Sequence, residues 1–284
     1  MSAGSLLAHG LTRAHRIVPR LAGYVQTKVF INTRGLGAFP DDLCPLGASR
    51  VELDGVPRVA SAYIWGSDEP TVLALHGWGA DSTTMSTVVA AAVEMGESAV
   101  CFDAPGHGVS SGSHATMIEY AHATLAVLQR FPSIHTVVAH SFAAIAAVSA
   151  IAESDDDNVR SLLLLAPACS LSGVLERWVA QRGIPPGLVK HIRRELERLD
   201  GMPVSHWDVR TLGLPRSVRV RILHDPTDDV VPLLDSHLIA AHLSADVDLA
   251  VAGTGHYKLL GGDDMRTALT ACLQPTTSRP NCSC

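Results

Sequence analysis

From about residue 50 onward the chain alternates short apolar runs with segments of helical spacing, and this rhythm restricts the fold more than any other feature. Apolar runs at 51–53, 59–65, 71–76, 99–103, 134–140, 162–166, 218–224 and 247–251 read as strands. Asp54, Gly55 and Pro57 supply a turn between the first two. Residues 82–95, 117–130, 142–152, 233–243 and 264–273 carry helical spacing. The run 162–166 is apolar at every position, as a strand covered on both faces must be. Alternation of this kind predicts an α/β fold: a mostly parallel central sheet with helices on both faces. Ligands of such sheets bind outside the carboxyl ends of the strands, so those ends are where chemistry is sought.

The rhythm breaks between 169 and 216. Two helical patterns, 171–182 and 186–199, lie there, separated by Gly183, Ile184 and Pro185. They read as a helical lid over the sheet edge. The expected division is a basic helical segment over 1–48 packed on the core, a core of 49–168 and 217–274, the lid at 169–216, and a disordered Pro/Ser/Thr-rich tail over 275–284. In the amino-terminal segment no Asp or Glu precedes Asp41, whereas Arg13, Arg16, Arg20, Lys28 and Arg34 do. A transit peptide and a membrane-surface helix are the alternatives to a packed helix there.

Composition narrows the function classes. The net charge is -6 and no long basic block occurs, which gives a nucleic-acid partner little support. No apolar run approaches the ~20 residues that span a bilayer, so no integral membrane segment is expected. No compact apolar core of a secretory signal is present either. The six cysteines show no C-x-x-C spacing, which argues against a zinc site and for reduced thiols and a cytoplasmic location. No metal or cofactor is implied. The oligomeric state is left open.

Four segments at strand ends carry the chemistry. TVVAHSFAA (136–144) places Ser141 between a strand and an Ala-rich helix, the setting of a nucleophile elbow. Small residues are needed two places before and after such a serine, and here both are alanine, Ala139 and Ala143, where glycine is usual. A helix N-cap is the competing role for the same serine. TVLALHGWGAD (71–81) runs a strand into a Gly-rich turn. FDAPGHG (102–108) is a second such turn, in which Asp103, Pro105, Gly106 and Gly108 read as structural and His107 as surface or site-lining. After the last strand, VAGTGHYKLL (251–260) holds His256 in a Gly-flanked loop that lets an imidazole reach back toward the sheet. With fourteen histidines in the chain, His256 is distinguished by its place and not by its type.

These segments, in this order, resemble the α/β-hydrolases, serine hydrolases with chain order Ser, acid, His. The resemblance extends from about 51 to 273. It is closest to bacterial esterase- and lipase-like members with an HGWG oxyanion loop and an AHSFA elbow. It implies Ser141 as nucleophile and His256 as base. In RILHDPTDDVVP (221–232), the register of the family's acid loop falls on Asp228 rather than Asp225 or Asp229. It also implies the backbone N–H groups of Trp78 and Phe142 as the oxyanion hole. Substrate contacts are expected from His76, Gly77, Leu175 and Trp178. Leu171, Val174, Leu175, Trp178 and Val179 share one helical face, with Glu176 and Arg177 opposite, giving a lid with an apolar underside. The implied reaction is hydrolysis of a carboxylic ester of a partly apolar small molecule through an acyl-enzyme. Thioesterase, amidase or peptidase, and acyltransferase chemistry use the same residues. A non-catalytic receptor or scaffold on this fold remains an alternative.

Overall fold

The computed structural model describes residues 18–33, 44–45, 47–250 and 252–274. The expected tail at 275–284, and Arg13, Arg16 and Arg34, lie outside those residues. Eight strands form one sheet: β1 (Ser49–Glu52), β2 (Ser61–Trp65), β3 (Val72–Leu75), β4 (Ala99–Phe102), β5 (Thr136–His140), β6 (Ser161–Leu165), β7 (Arg219–His224) and β8 (Asp246–Leu249). Their order is β1-β2-β4-β3-β5-β6-β7-β8. β2 pairs antiparallel with both neighbours, and every other pairing is parallel. This is the mostly parallel α/β sheet that the alternation implies.

The strand side chains alternate between two cores. Leu73, Leu75, Val137, Ala139, Leu162, Leu164 and Ile222 enter the larger one. Against it pack α3 (Met117–Arg130), α4 (Ala143–Glu153) and, through Ile239, α7 (Leu233–Leu243). Val72, Ala74, Val138, Leu163, Leu165 and Leu223 point the other way. They meet α2 (Ser86–Glu94) and α9 (Asp263–Leu273). Both faces are therefore covered, which is why the central strands read as continuous apolar runs.

The helix expected over 82–95 is two elements. A 3₁₀ turn at Ser82–Met85 precedes α2, and Asp81 caps it by accepting the Thr83 N–H at 3.0 Å. Three successive hydroxyl residues, Ser82, Thr83 and Thr84, compete with helical bonding, so the first turn tightens before the Ala/Val-rich segment takes over. In the interrupted region, α5 (Leu171–Gln181) and α6 (Pro186–Asp200) replace strand–helix alternation. Ser170 caps α5 by accepting from the Gly173 N–H at 3.1 Å. Pro186 opens α6, where its missing N–H costs nothing, and Gly201, at φ +69°, closes it. A helix at Pro19–Phe30, α1, packs against α6.

Candidate active site

The chain reverses its direction of travel across the sheet at β3: β4 lies on one side of it and β5 on the other. The loops after β3 and β5 therefore border a crevice at the carboxyl edge. Trp78 comes from the first loop and Ser141 from the second. Ser141 has φ +57°, a left-handed conformation that a residue with a side chain adopts only where its surroundings enforce it. Its N–H donates to Leu165 O at 2.9 Å and its carbonyl accepts from Ala168 N–H at 3.1 Å. These bonds tie the turn to the end of β6 and to the loop that follows it. Ala139 and Ala143, fully buried, sit where glycine is usual without breaking the strand or the helix. The closest approach falls instead on Gly77. A Cβ there would lie 3.0 Å from His140 Nδ1 and 3.2 Å from Ser141 Cβ.

His256 is the second residue of a short helix, α8 (Gly255–Lys258), and follows two glycines with positive φ, Gly253 and Gly255. Its Nε2 lies 3.0 Å from Ser141 Oγ and its Nδ1 lies 2.7 Å from Asp228 Oδ2. With the proton on Nδ1 donated to the carboxylate, Nε2 is left to accept the serine hydroxyl proton. Asp228 follows β7, and its Oδ1 accepts the N–H groups of Val230 at 2.8 Å and Val231 at 3.0 Å. His224 Nε2 stands 3.5 Å from the other oxygen. Burial alone would raise the Asp228 pKa. The donors from His224, His256 and Val231 outweigh it and hold the carboxyl well below the usual range, so it stays ionised.

The neighbouring carboxylates are used differently. Asp225 accepts from Thr227 N–H and Oγ–H and from the Gly255 N–H, fastening the loop that carries His256. Asp229 is exposed. His140, directly before the serine, donates from Nε2 to the His256 carbonyl at 3.1 Å. It is fully enclosed, and burial, reinforced by His256, pushes its pKa down to about 3, so it remains neutral. Sequence reading passes over His140, because any residue is permitted at that place in an elbow. Its position one residue before a buried serine was the available signal.

Several expected contacts are corrected. His76 does not face the crevice. It is buried, its Nδ1 donates to Gly77 O at 2.8 Å, and its Nε2 accepts the Ala104 N–H at 3.0 Å. Its own carbonyl accepts from Tyr120 Oη at 2.7 Å. It braces the loops after β3 and β4. Gly77 is likewise buried and gives room rather than contact. Leu175 is fully enclosed in the core with Leu171, whereas Val174 and Trp178 line the crevice. The reason is helical: 171 and 175 share one row of α5, and 174 and 178 the adjacent row. Arg177, expected on the outer side, also lines the crevice, with its guanidinium paired to both oxygens of Asp235 at 3.1 and 3.2 Å. His107 is buried beneath Trp78, with ring centroids 5.0 Å apart.

The crevice encloses about 430 Å³ and reaches Ser141 and His256. Trp78, Phe142, Val174 and Trp178 form much of its wall, and Trp78 and Phe142 meet edge to face at 5.0 Å. Val29, Phe30 and Asn32, at the end of α1, close another side. Phe30 packs edge-on to Trp178 at 5.1 Å. Nothing in the sequence pattern of that helix announces this contribution. Among the described residues, neither the Trp78 nor the Phe142 backbone N–H has a protein acceptor, and no cluster of His, Cys, Asp or Glu is placed to hold a metal ion. No helix among them is long and apolar enough to cross a membrane.

The fold defines the class, an open α/β sheet whose second strand runs against the rest. The chain belongs to the alpha/beta hydrolase family, whose model matches residues 72–271. Over 162 residues it is 28% identical to the esterase Rv0045c of Mycobacterium tuberculosis. That match covers 54% of this chain, and the chain spans about half the relative's length, 53%. Mouse alpha/beta hydrolase domain-containing protein 10 superposes with a TM-score of 0.61 at 19% identity, over 79% of this chain and 95% of that one. The Pyrococcus furiosus esterase Pf2001 gives 0.59 at 17% identity, over 86% and 96%. At those identities the two structures speak for the fold alone.

Proposed function

We propose that the protein is a serine esterase acting on a partly apolar small-molecule ester. The observation that carries the reading is the continuous contact from Asp228 through His256 to a serine in a left-handed turn, at 2.7 and 3.0 Å. In this reading Ser141 attacks the acyl carbon as its proton passes to His256 Nε2. The imidazolium so formed faces the ionised Asp228. The carbonyl oxygen, now negative, is held by the Trp78 and Phe142 N–H groups, each worth about 3 kcal/mol in a transition state. Phe142 precedes α4, so the positive end of that helix adds to the field. The proton on His256 then moves to the departing alkoxide, and water, deprotonated by the same imidazole, releases the acid. The aromatic and aliphatic walls, with α5 and α6 as a lid over 169–216, favour an acyl or alkyl group of modest size. The esterase name of the Mycobacterium relative favours an oxygen ester over a thioester or an amide.

A fluorophosphonate probe tests the assignment. Wild-type protein should label and Ser141→Ala should not. Labelling that survives the substitution would remove Ser141 as the nucleophile. A folded wild type that neither labels nor turns over p-nitrophenyl esters would favour a ligand receptor.

A further inference from the structure

The outward face of α1 is apolar. Val18, Leu21, Tyr24 and Val29 are among the most exposed large hydrophobic residues in the structure, at 42–57%. At 100° per residue Leu21, Tyr24 and Val29 fall on one arc of the helix, with Lys28 inside that arc, Arg20 at its margin and Val18 just before the first turn. Alongside, α6 presents Lys190, Arg194 and Arg198, spaced four apart and exposed on a single stripe. Between the two helices lies a groove of about 270 Å³ lined by Arg20, His191, Arg194, Glu195 and Arg198. Two carboxylates lie among these cations. Glu195 is engaged by Arg198 at 2.7 Å, and Glu197 accepts from the Val204 N–H. Glu195 thus offsets Arg198, and Arg20, Lys28, Lys190 and Arg194 remain beside one exposed apolar stripe in a chain of net charge -6.

We propose that the α1–α6 face docks on an anionic lipid surface. Apolar side chains ringed by Lys and Arg on one helical face match the acyl–headgroup boundary, where the first enter the chains and the second meet phosphates. The basic groove between the helices is placed for an anionic headgroup. The same helix that carries the apolar stripe ends in Val29 and Phe30 at the crevice wall, so docking brings the crevice close to the lipid. A protein partner with an acidic surface accounts for the cations but not for the exposed hydrophobic residues of a helix that already packs against α6.

The test is co-sedimentation of the full chain with vesicles of phosphatidylcholine alone, or with roughly one-third phosphatidylglycerol. Each Lys or Arg near such a surface is worth about fivefold in partitioning. Wild type should bind the anionic vesicles at least about tenfold more tightly than the neutral ones, and lose that preference in high salt. Arg20→Glu with Arg194→Glu should reduce binding by about 25-fold or more, and Leu21→Asp should reduce it without altering the melting temperature. These residues lie outside the crevice, so hydrolysis of a soluble ester should be unchanged. Equal binding to both vesicle types, or binding unaffected by all three substitutions, would overturn the proposal. So would a wild-type dimer that Leu21→Asp converts to monomer, which would give the face to a second copy. The readout is binding, so its outcome is independent of whether the protein hydrolyses esters.

Discussion

Asp228→Asn probes where the proton on His256 sits. Both carboxylate oxygens face donors: Oδ1 takes the Val230 and Val231 N–H groups, and Oδ2 takes His256 Nδ1–H. An asparagine must turn its NH₂ toward one set. Facing two backbone N–H groups sets donor against donor twice, so the amide oxygen takes the Oδ1 place and the NH₂ points at His256. The imidazole then accepts at Nδ1 and carries its proton on Nε2, where it meets Ser141 Oγ as a donor. It can no longer take the serine proton. In other triads this exchange lowers kcat by about 10⁴, equivalent to about 5.4 kcal/mol in the barrier. The assay is turnover of a short p-nitrophenyl ester, with near-UV circular dichroism to establish that the variant is folded. Exposed Asp229, changed to Asn in parallel, should stay within about twofold of wild type. The reasoning fails if folded Asp228→Asn keeps more than about a tenth of wild-type kcat, or if Asp229→Asn shows the large loss instead.

Gly77→Ala places a methyl group against His140 Nδ1 and Ser141 Cβ, 3.0 and 3.2 Å away, and should lower kcat by about 10- to 100-fold with a smaller effect on melting temperature. An unchanged kcat would show that the turn gives way freely. Gly108 has φ +45°, and a Cβ there would overlap the Asp103 carboxylate, which accepts the Ser82 N–H at 2.7 Å and the Val109 N–H at 3.0 Å. Gly108→Ala should therefore destabilise the fold by more than about 2 kcal/mol in urea unfolding, and a loss below about 0.5 would contradict the packing. His107 and His140 are both driven down by burial to about 3, against about 6.5 in an unfolded chain. As pH falls the unfolded chain takes up these protons first. Stability is then full above about pH 6.5 and declines toward pH 3 by up to about 1.4 kcal/mol per unit for each histidine. Urea titrations at about pH 7.5 and about pH 5 should show the decline, and His107→Gln should make it shallower; an identical slope would count against buried neutral imidazoles.

The sheet, and the residues that the structure brings together at its edge, were legible in the sequence for a shared reason. Strands buried on both faces must be apolar throughout, as Leu162–Leu165 is, and the reacting groups must be particular residue types at strand ends. Ser141, Asp228 and His256 converge because three parallel strands deliver them to one edge. The walls of the crevice carry no such restriction. Any apolar side chain of the right size serves, so Val29, Phe30 and Tyr257 look like ordinary residues until the chain is folded. His76 was misread for the opposite reason. It stands in a conspicuous motif, yet its ring turns inward to the Ala104 N–H. Leu175 shows the limit of helical periodicity, which separates inside from outside but does not divide the core row from the cavity row beside it.

The end of α1 has a consequence for how substrate range can change. The family match begins at residue 72, whereas Val29, Phe30 and Asn32 belong to a segment before it. The proposed reacting groups thus come from the shared part of the chain, and part of the crevice wall comes from outside it. Exchanging that leading helix among relatives would reshape the pocket while leaving the elbow, the acid loop and the base loop intact. In such an architecture selectivity can diverge quickly while chemistry stays fixed.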